Sequence, residues 1–341
     1  MKAARIHSWG GDLVIEDVPE PDLQDGEVLV DVAACGVGLT VLNYMRGDLG
    51  NDPNDLPRVP GHELVGRIVK VGPGVERERE GELVAAFFYL FCGRCPRCLA
   101  GKEDLCESLA GFVGVQRDGG YVERVSLPAR NAIRLPDNMD PVLATVVNDA
   151  VATPVHVAGL ANIGPGQRVA VVAAGGGVGI HMVQVAQLFG AEVAGLDVTN
   201  QKLAYLEGEL GVIAVESSDF GAVTMPERWD GKADVVVDLL GRPESLRWAL
   251  GALAGDGRLV TLTTFRNVNF PITPREMVLS QLSILGSRYC TRAEFDLAAR
   301  LVAGGQVKPV IGRREGIANV HEIHEDLRTG RLLGRGAVVW Q

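Results

Sequence analysis

The thirty residues 169–198, VAVVAAGGGVGIHMVQVAQLFGAEVAGLDV, decide how the second half of the chain folds. An apolar run, a cluster of glycines, an apolar stretch of helical length and a second apolar run ending in an acid read as strand, turn, helix and strand. In that context the glycines have separate tasks. Gly176 lets backbone approach a pyrophosphate and Gly179 lets the helix pack closely on the sheet, while the helix N-terminus favours phosphate charge. Ala174 stands where the strict pattern has its first glycine. Asp197 lies 21 residues beyond Gly176 and ends the second strand. A carboxylate there accepts hydrogen bonds from ribose hydroxyls and repels a 2′-phosphate, so NAD(H) is expected over NADP(H). The full expected cofactor set is Gly175, Gly176, Gly177, Val178, Gly179, Asp197, Lys202 and Thr153. A Gly-rich turn that binds nothing is the competing reading, and strand, helix and acid together oppose it.

Outward from this unit the alternation continues in "QKLAYLEGELG", "DVVVDLL", "ESLRWALGALA" and "RLVTLTT". Strands alternating with helices predict a doubly wound parallel sheet beginning near Gly164. Residues 1–150 read differently, with short β-branched runs such as "EVLVDVAA", "ELVGRIVKV" and "GELVAAFFYL" cut by Gly and Pro, the pattern of a barrel-like β unit. After "SILGS" come one predicted helix, "RAEFDLAARLVAGG", and a closing strand, "GAVVW". "ERERE" at 76–80 reads as a solvated turn.

A chain of 341 residues exceeds what one core usually supports, which predicts two lobes. With 47% hydrophobic and 22% charged residues it has the composition of a globular protein. Its formal charge of −10 argues against nucleic-acid or anionic-membrane partners. Neither a signal peptide nor an apolar run of about 18 residues is evident, so a cytoplasmic location is the expectation.

Four of the six cysteines crowd into "CGRCPRCLAGKEDLC" with spacing C-x2-C-x2-C-x7-C. Such a loop can fold Cys92, Cys95, Cys98 and Cys106 around one tetrahedral zinc. Four thiolates leave no open coordination position, which makes the site structural. An iron–sulfur cluster also uses four thiolates, at other usual spacings.

Together with "PGHELVGRIVKVG", "NDAVATP" and "GRGAVVW", these segments resemble the medium-chain dehydrogenase/reductase superfamily, specifically its zinc-containing alcohol dehydrogenase branch, along essentially the whole chain. The resemblance implies a GroES-like β-rich catalytic domain at 1–152 and 287–341, a Rossmann domain at 153–286, and a homodimer or homotetramer. It also implies a catalytic zinc held by a Cys, by the His of G-H-E and by a Cys or Asp before the cofactor domain. His62 and Asp149 match the second and third positions, and Glu63 is the acidic neighbour that can serve as an alternative ligand. The first position fails, because "CGVGLTVLNYMRG" puts Gly38 at the ligand, Val41 at the usual Asp and Asn43 at the usual relay His. Cys35 lies three residues upstream of the ligand position.

His62, Glu63 and Asp149 could hold a weak zinc, or could act without metal as a proton-transfer set with the Thr40 hydroxyl. The first reading of function is therefore NAD(H)-dependent interconversion of an alcohol and an aldehyde or ketone. A zinc-free conjugate reductase of α,β-unsaturated carbonyls is the alternative. A cofactor-binding protein without catalysis is a third reading.

Overall fold

The computed structural model describes residues 1–48, 50–265 and 268–340. The chain divides into two compact units, the first comprising Met1–Ala152, Cys290–Gly305 and Ile311–Gln341, the second Thr153–Tyr289 and Gln306–Val310. The return of 306–310 to the second unit departs from the sequence-based boundaries. Its cause is side-chain bonding to backbone: Gln184 accepts from Lys308 N–H (2.8 Å) and donates to Lys308 C=O (3.0 Å), and His181 Nε2 accepts from Val310 N–H (3.2 Å).

The second unit is a Rossmann-type layer structure. Its six parallel strands run in the order Ile213–Glu216, Glu192–Asp197, Arg168–Val172, Ala233–Asp238, Leu253–Thr261, Ser283–Gly286. The central strands are buried on both faces, which is why "RVAVV" and "ADVVVD" carry no polar alternation. "SILGS" supplies an edge strand and "RLVTLTT" the strand beside it, which ends at Thr261.

The first unit is a GroES-like fold. Its sheet follows the order Ile311–Gly316, Arg335–Val339, Glu27–Val37, Glu63–Val71, Leu83–Ala86, Ala132–Arg134, with Arg124–Pro128 paired to Glu27–Val37. Strand Glu27–Val37 is central, so its two ends bring distant segments together. Gly36 pairs with Glu63 on one side and Ala337 on the other. Strand Ile311–Gly316 and helix Val320–Arg328 were not legible in the sequence, since "IGRREG" alternates apolar with charged residues only weakly and "VHEIHEDLR" is mostly polar. Arg79, inside the run read as a solvated turn, is half-buried and donates to the carbonyls of Ala129 and Ala132, both at 2.8 Å.

Segment Pro141–Leu160 has a mean hydropathy of 1.3, enough by length and composition to cross a membrane, and is 72% buried inside the protein. Its apolar character is that of core.

Candidate functional site

In the second unit the Gly-rich turn joins Arg168–Val172 to helix Gly179–Leu188. The sharp bend falls on Ala173, at φ +60°. Gly179 is required by close approach, since a Cβ there would sit 2.2 Å from the Ala173 carbonyl oxygen. At Gly176 the only atom near a Cβ would be that same oxygen, at 3.3 Å, so the half-buried face of Gly176, Gly177 and Val178 offers backbone to a ligand. Asp197 is buried, its Oδ2 accepting from Gly175 N–H (2.9 Å) and its Oδ1 from Val198 N–H (2.8 Å). Lys202 Nζ stands 3.9 Å from Asp197 Oδ1, and its stem packs over Gly175. Thr153 lies in helix Ala152–Leu160, at the start of the unit. A backbone cradle beside a fixed carboxylate fits a dinucleotide.

The turn is braced from behind by His181, a residue without a sequence-derived role. Its Nε2 accepts from Val310, so Nδ1 carries the proton and donates to the Gly177 carbonyl at 2.7 Å. Burial pushes its pKa down to about 4, opposed only weakly by the bond to the Gly177 carbonyl.

In the first unit the four cysteines converge. Cys92 and Cys98 sulfurs lie 3.9 Å apart and those of Cys95 and Cys106 4.0 Å apart. Four sulfurs on one zinc at about 2.3 Å stand roughly 3.8 Å from each other, so the cluster fits the ion. Backbone N–H groups point at the sulfurs. Those of Arg94 and Cys95 lower the Cys92 thiol, that of Cys98 holds Cys95 near about 6, and burial pushes Cys98 up to about 12. Glu103 ties the lobe to helix Arg292–Ala303 by accepting from Arg292 N–H at 3.1 Å.

The expected catalytic residues also come together. His62, Glu63 and Asp149 bring ligand atoms within 4.8 Å of one another. His62 Nε2 is 3.4 Å from Glu63 and 3.8 Å from Asp149, and its ring packs on Phe88 with centroids 4.4 Å apart. Asn148 fixes the approach of Asp149 by donating to the carbonyls of Leu64 (3.0 Å) and Ala86 (2.9 Å). Thr40 is half-buried in the first turn of helix Leu39–Met45, beside the site's Gly38. Cys35 is fully buried beside Gly61 and Gly120 and stands outside the cluster. Tyr44 donates to the Val115 carbonyl at 2.9 Å within the core and Val41 is buried, so both are packing residues.

What sequence reading missed is Arg335. It begins the strand Arg335–Val339, only 4% exposed, and its guanidinium lies among the three acceptors. Nε donates to Glu63 Oε2 (2.9 Å), and Nη2 donates to Asp149 Oδ2 (3.1 Å) and contacts Glu63 Oε1. Gly38 makes this seat. A Cβ at 38 would stand 2.3 Å from both Cζ and Nη1 of Arg335, and a Cβ at Gly36 would stand 2.2 Å from Glu63 Oε2. Burial pulls the guanidinium down to about 10. With Glu63 Oε2 and Asp149 Oδ2 bonded to the guanidinium and Glu63 Oε1 in ion contact with it, the residues as arranged do not fit a zinc ion: a dication would meet a guanidinium at both carboxylates, and among the described residues His62 Nε2 and Glu63 Oε1 are buried without a hydrogen-bond partner. The signal for Arg335 was Gly38 itself, since a missing ligand side chain leaves volume that a packed interior must fill.

Residues 24–137 match the family described as alcohol dehydrogenase GroES-like domain, and residues 177–304 the family described as zinc-binding dehydrogenase. An alcohol dehydrogenase of Geobacillus stearothermophilus is 32% identical over 338 residues, 98% of each chain. The thermostable alcohol dehydrogenase of Pyrobaculum aerophilum, solved with cobalt and zinc bound, superposes with TM-score 0.90 at 28% identity, over 100% of this chain and 99% of its own. The acetophenone reductase of Geotrichum candidum NBRC 4597, solved with NAD, gives TM-score 0.89 at 26% identity, over 99% and 97% of the two chains.

Proposed function

Since the chain belongs to the zinc-containing alcohol dehydrogenase branch of the medium-chain dehydrogenase/reductase superfamily, we propose that it interconverts an alcohol and an aldehyde or ketone without the family's full catalytic-zinc shell, using NAD(H) in preference to NADP(H). Family membership makes it an NAD-dependent oxidoreductase with small alcohol and carbonyl substrates. The observation that carries the finer reading is the gathering of His62, Glu63 and Asp149 within 4.8 Å in the first unit. A chain that had abandoned carbonyl chemistry would have no reason to hold there a buried imidazole nitrogen with no hydrogen-bond partner among the described residues.

NADH supplies the hydride that reduces the carbonyl carbon. The protein's part is division of labour between its units. Gly175–Gly179 hold phosphate on backbone N–H groups, Asp197 with Lys202 receives the adenosine ribose, and Thr153 borders the cofactor from its helix. His62 exchanges the proton with the substrate oxygen, and the Thr40 hydroxyl relays it. Cys92, Cys95, Cys98 and Cys106 hold structural zinc outside the chemistry. The working form is a homodimer or homotetramer in the cytoplasm.

The test is NADH oxidation against a panel of aldehydes, ketones and enones, with product analysis. Reduction at the carbonyl supports the reading. Reduction confined to the C=C bond of enones replaces it with conjugate reduction, and hydride transfer to nothing in the panel leaves a cofactor-binding protein.

A further inference from the structure

The polar cluster gathers His62, Glu63 and Asp149, three groups able to ligate a metal ion, yet its central position is filled by the chain itself. We propose that the guanidinium of Arg335 is the resident cation of this site, taking the place of a catalytic metal ion, and that its Nη1 donates a hydrogen bond to the oxygen of the substrate.

Three observations carry the first half. The guanidinium donates to Glu63 Oε2 and to Asp149 Oδ2 and is in ion contact with Glu63 Oε1, so the carboxylates that would coordinate a metal are already paired with a cation. Glu63 is completely buried and Arg335 nearly so, and a charge buried to that degree is retained only when paired. Finally, the seat is exclusive. Any side chain at residue 38 collides with Cζ and Nη1, so a ligand cysteine at that position and Arg335 in this pose cannot coexist. Gly38 is therefore what leaves room for the guanidinium in this pose, where a ligand side chain would otherwise stand.

The second half follows from the donor inventory, and it rests on the alcohol–carbonyl reading given above. A guanidinium has five N–H donors in a rigid fork. Nε and Nη2 face the carboxylates, while Nη1 faces Gly38 and donates to none of the described residues. In the same cluster, 3.8 Å from the Asp149 oxygen that Nη2 binds, His62 Nε2 is buried without a hydrogen-bond partner among the described residues. A donor and a ring nitrogen left open in the same cluster are what an alcohol or carbonyl oxygen requires. Unlike zinc, a guanidinium offers no coordination bond and cannot generate a metal alkoxide. It stabilises negative charge developing on oxygen by a fixed, charge-assisted hydrogen bond. The same charge stands on oxygen in the shared transition state of carbonyl reduction and alcohol oxidation, so the hydrogen bond serves both directions.

The deciding experiment counts metal and needs no substrate. Zinc per chain is measured by elemental analysis on the purified protein, before and after equilibration with excess zinc sulfate and dialysis. One zinc per chain in both samples is expected, held by the cysteine lobe. A second retained zinc overturns the proposal. The double variant Gly38→Cys/Arg335→Ala should retain two zinc ions per chain, and retention of one would show that the exchange of these two residues is not what excludes the metal. Should that variant not fold, the count on the unaltered protein decides alone. The role of Nη1 is read separately from Arg335→Lys, which keeps the charge and loses the fork. Its kcat for the best carbonyl of the panel should fall about 100-fold or more while NADH affinity, by fluorescence titration, is unchanged. An unchanged kcat overturns that role. If no panel substrate is reduced, the functional reading fails while the zinc count still stands.

Discussion

The cysteine lobe and the His62, Glu63, Asp149 cluster each gather donor atoms within 4.8 Å, and they differ in what stands among those atoms. In the lobe, four sulfurs face one another with backbone N–H groups behind them and, among the described residues, no cationic side chain in between. In the cluster, an arginine occupies the middle. The lobe's donors all come from one stretch of 15 residues, Cys92 to Cys106, whereas Arg335 is separated from Glu63 by 272 residues and from Asp149 by 186. Metal-ligand residues in the right place are thus not evidence of metal until the space between them has been inspected.

The largest effect that can break this comparison is expected in the lobe. Replacing Cys98 with Ser should release zinc and cost about 4 kcal/mol or more, read as a shift of the urea midpoint, while turnover per folded chain is retained. Lost turnover with intact stability would mean that the lobe takes part in chemistry. Next comes Arg335→Ala, which leaves Glu63 and Asp149 buried against each other and should cost about 3–5 kcal/mol. Combining it with Glu63→Gln should recover part of that loss. A neutral Arg335→Ala would show that the guanidinium does not compensate these carboxylates.

The same contrast explains what the sequence disclosed. The Rossmann unit was legible because each of its signals is local: apolar strands, the turn at 173–179 and Asp197 lie within thirty residues. The lobe was legible for the same reason. Residues His62, Glu63 and Asp149 were legible only through resemblance, since nothing in their spacing brings strand Glu63–Val71 to the segment after Val147. Arg335 was invisible because its contacts depend on the pairing of Arg335–Val339 with Glu27–Val37, a register that a five-residue apolar strand does not specify.

Buried histidines sharpen the comparison from another side, because they are cations avoided rather than paired. His181 and His324 are both pushed to about 4 by burial, His324 additionally by Arg328 and His321. Since the unfolded chain binds a proton on each near pH 6.5, stability from these groups is complete above that pH and is lost as pH falls toward 4. Each should contribute a slope of up to about 1.4 kcal/mol per pH unit in that window, roughly 3 kcal/mol in all for His181. Urea unfolding between pH 7 and 5 should show the decline, and His181→Gln should flatten it. An unchanged slope in that variant would mean that His181 charges freely in the folded protein.

Gly38→Cys alone is a finer probe. If Gly38 only lacks a ligand, the new thiol should raise zinc content. With Arg335 in place, the added side chain instead meets Cζ and Nη1, and a cost of about 1–3 kcal/mol with no zinc gained is expected. A second zinc in this single variant would show that Arg335 yields its position readily.

The smallest expected effect concerns an anion held by backbone donors, with a lysine only at the far limit of an ion pair. Asp197 is fixed by the Gly175 and Val198 N–H groups, and Lys202 remains 3.9 Å away. Backbone donors leave each carboxylate oxygen a lone pair for a ribose hydroxyl, and leave the charge only partly neutralised against a 2′-phosphate. Asp197→Ser should therefore weaken NADH about tenfold, about 1.4 kcal/mol, and narrow the preference over NADPH by more than that, because one change removes both the acceptor and the repulsion. Parallel fluorescence titrations with the two cofactors measure it. Equal weakening of both would mean that Asp197 holds the Gly-rich turn in shape without reading the ribose, which would make it the counterpart of His181 on the other side of the same loop.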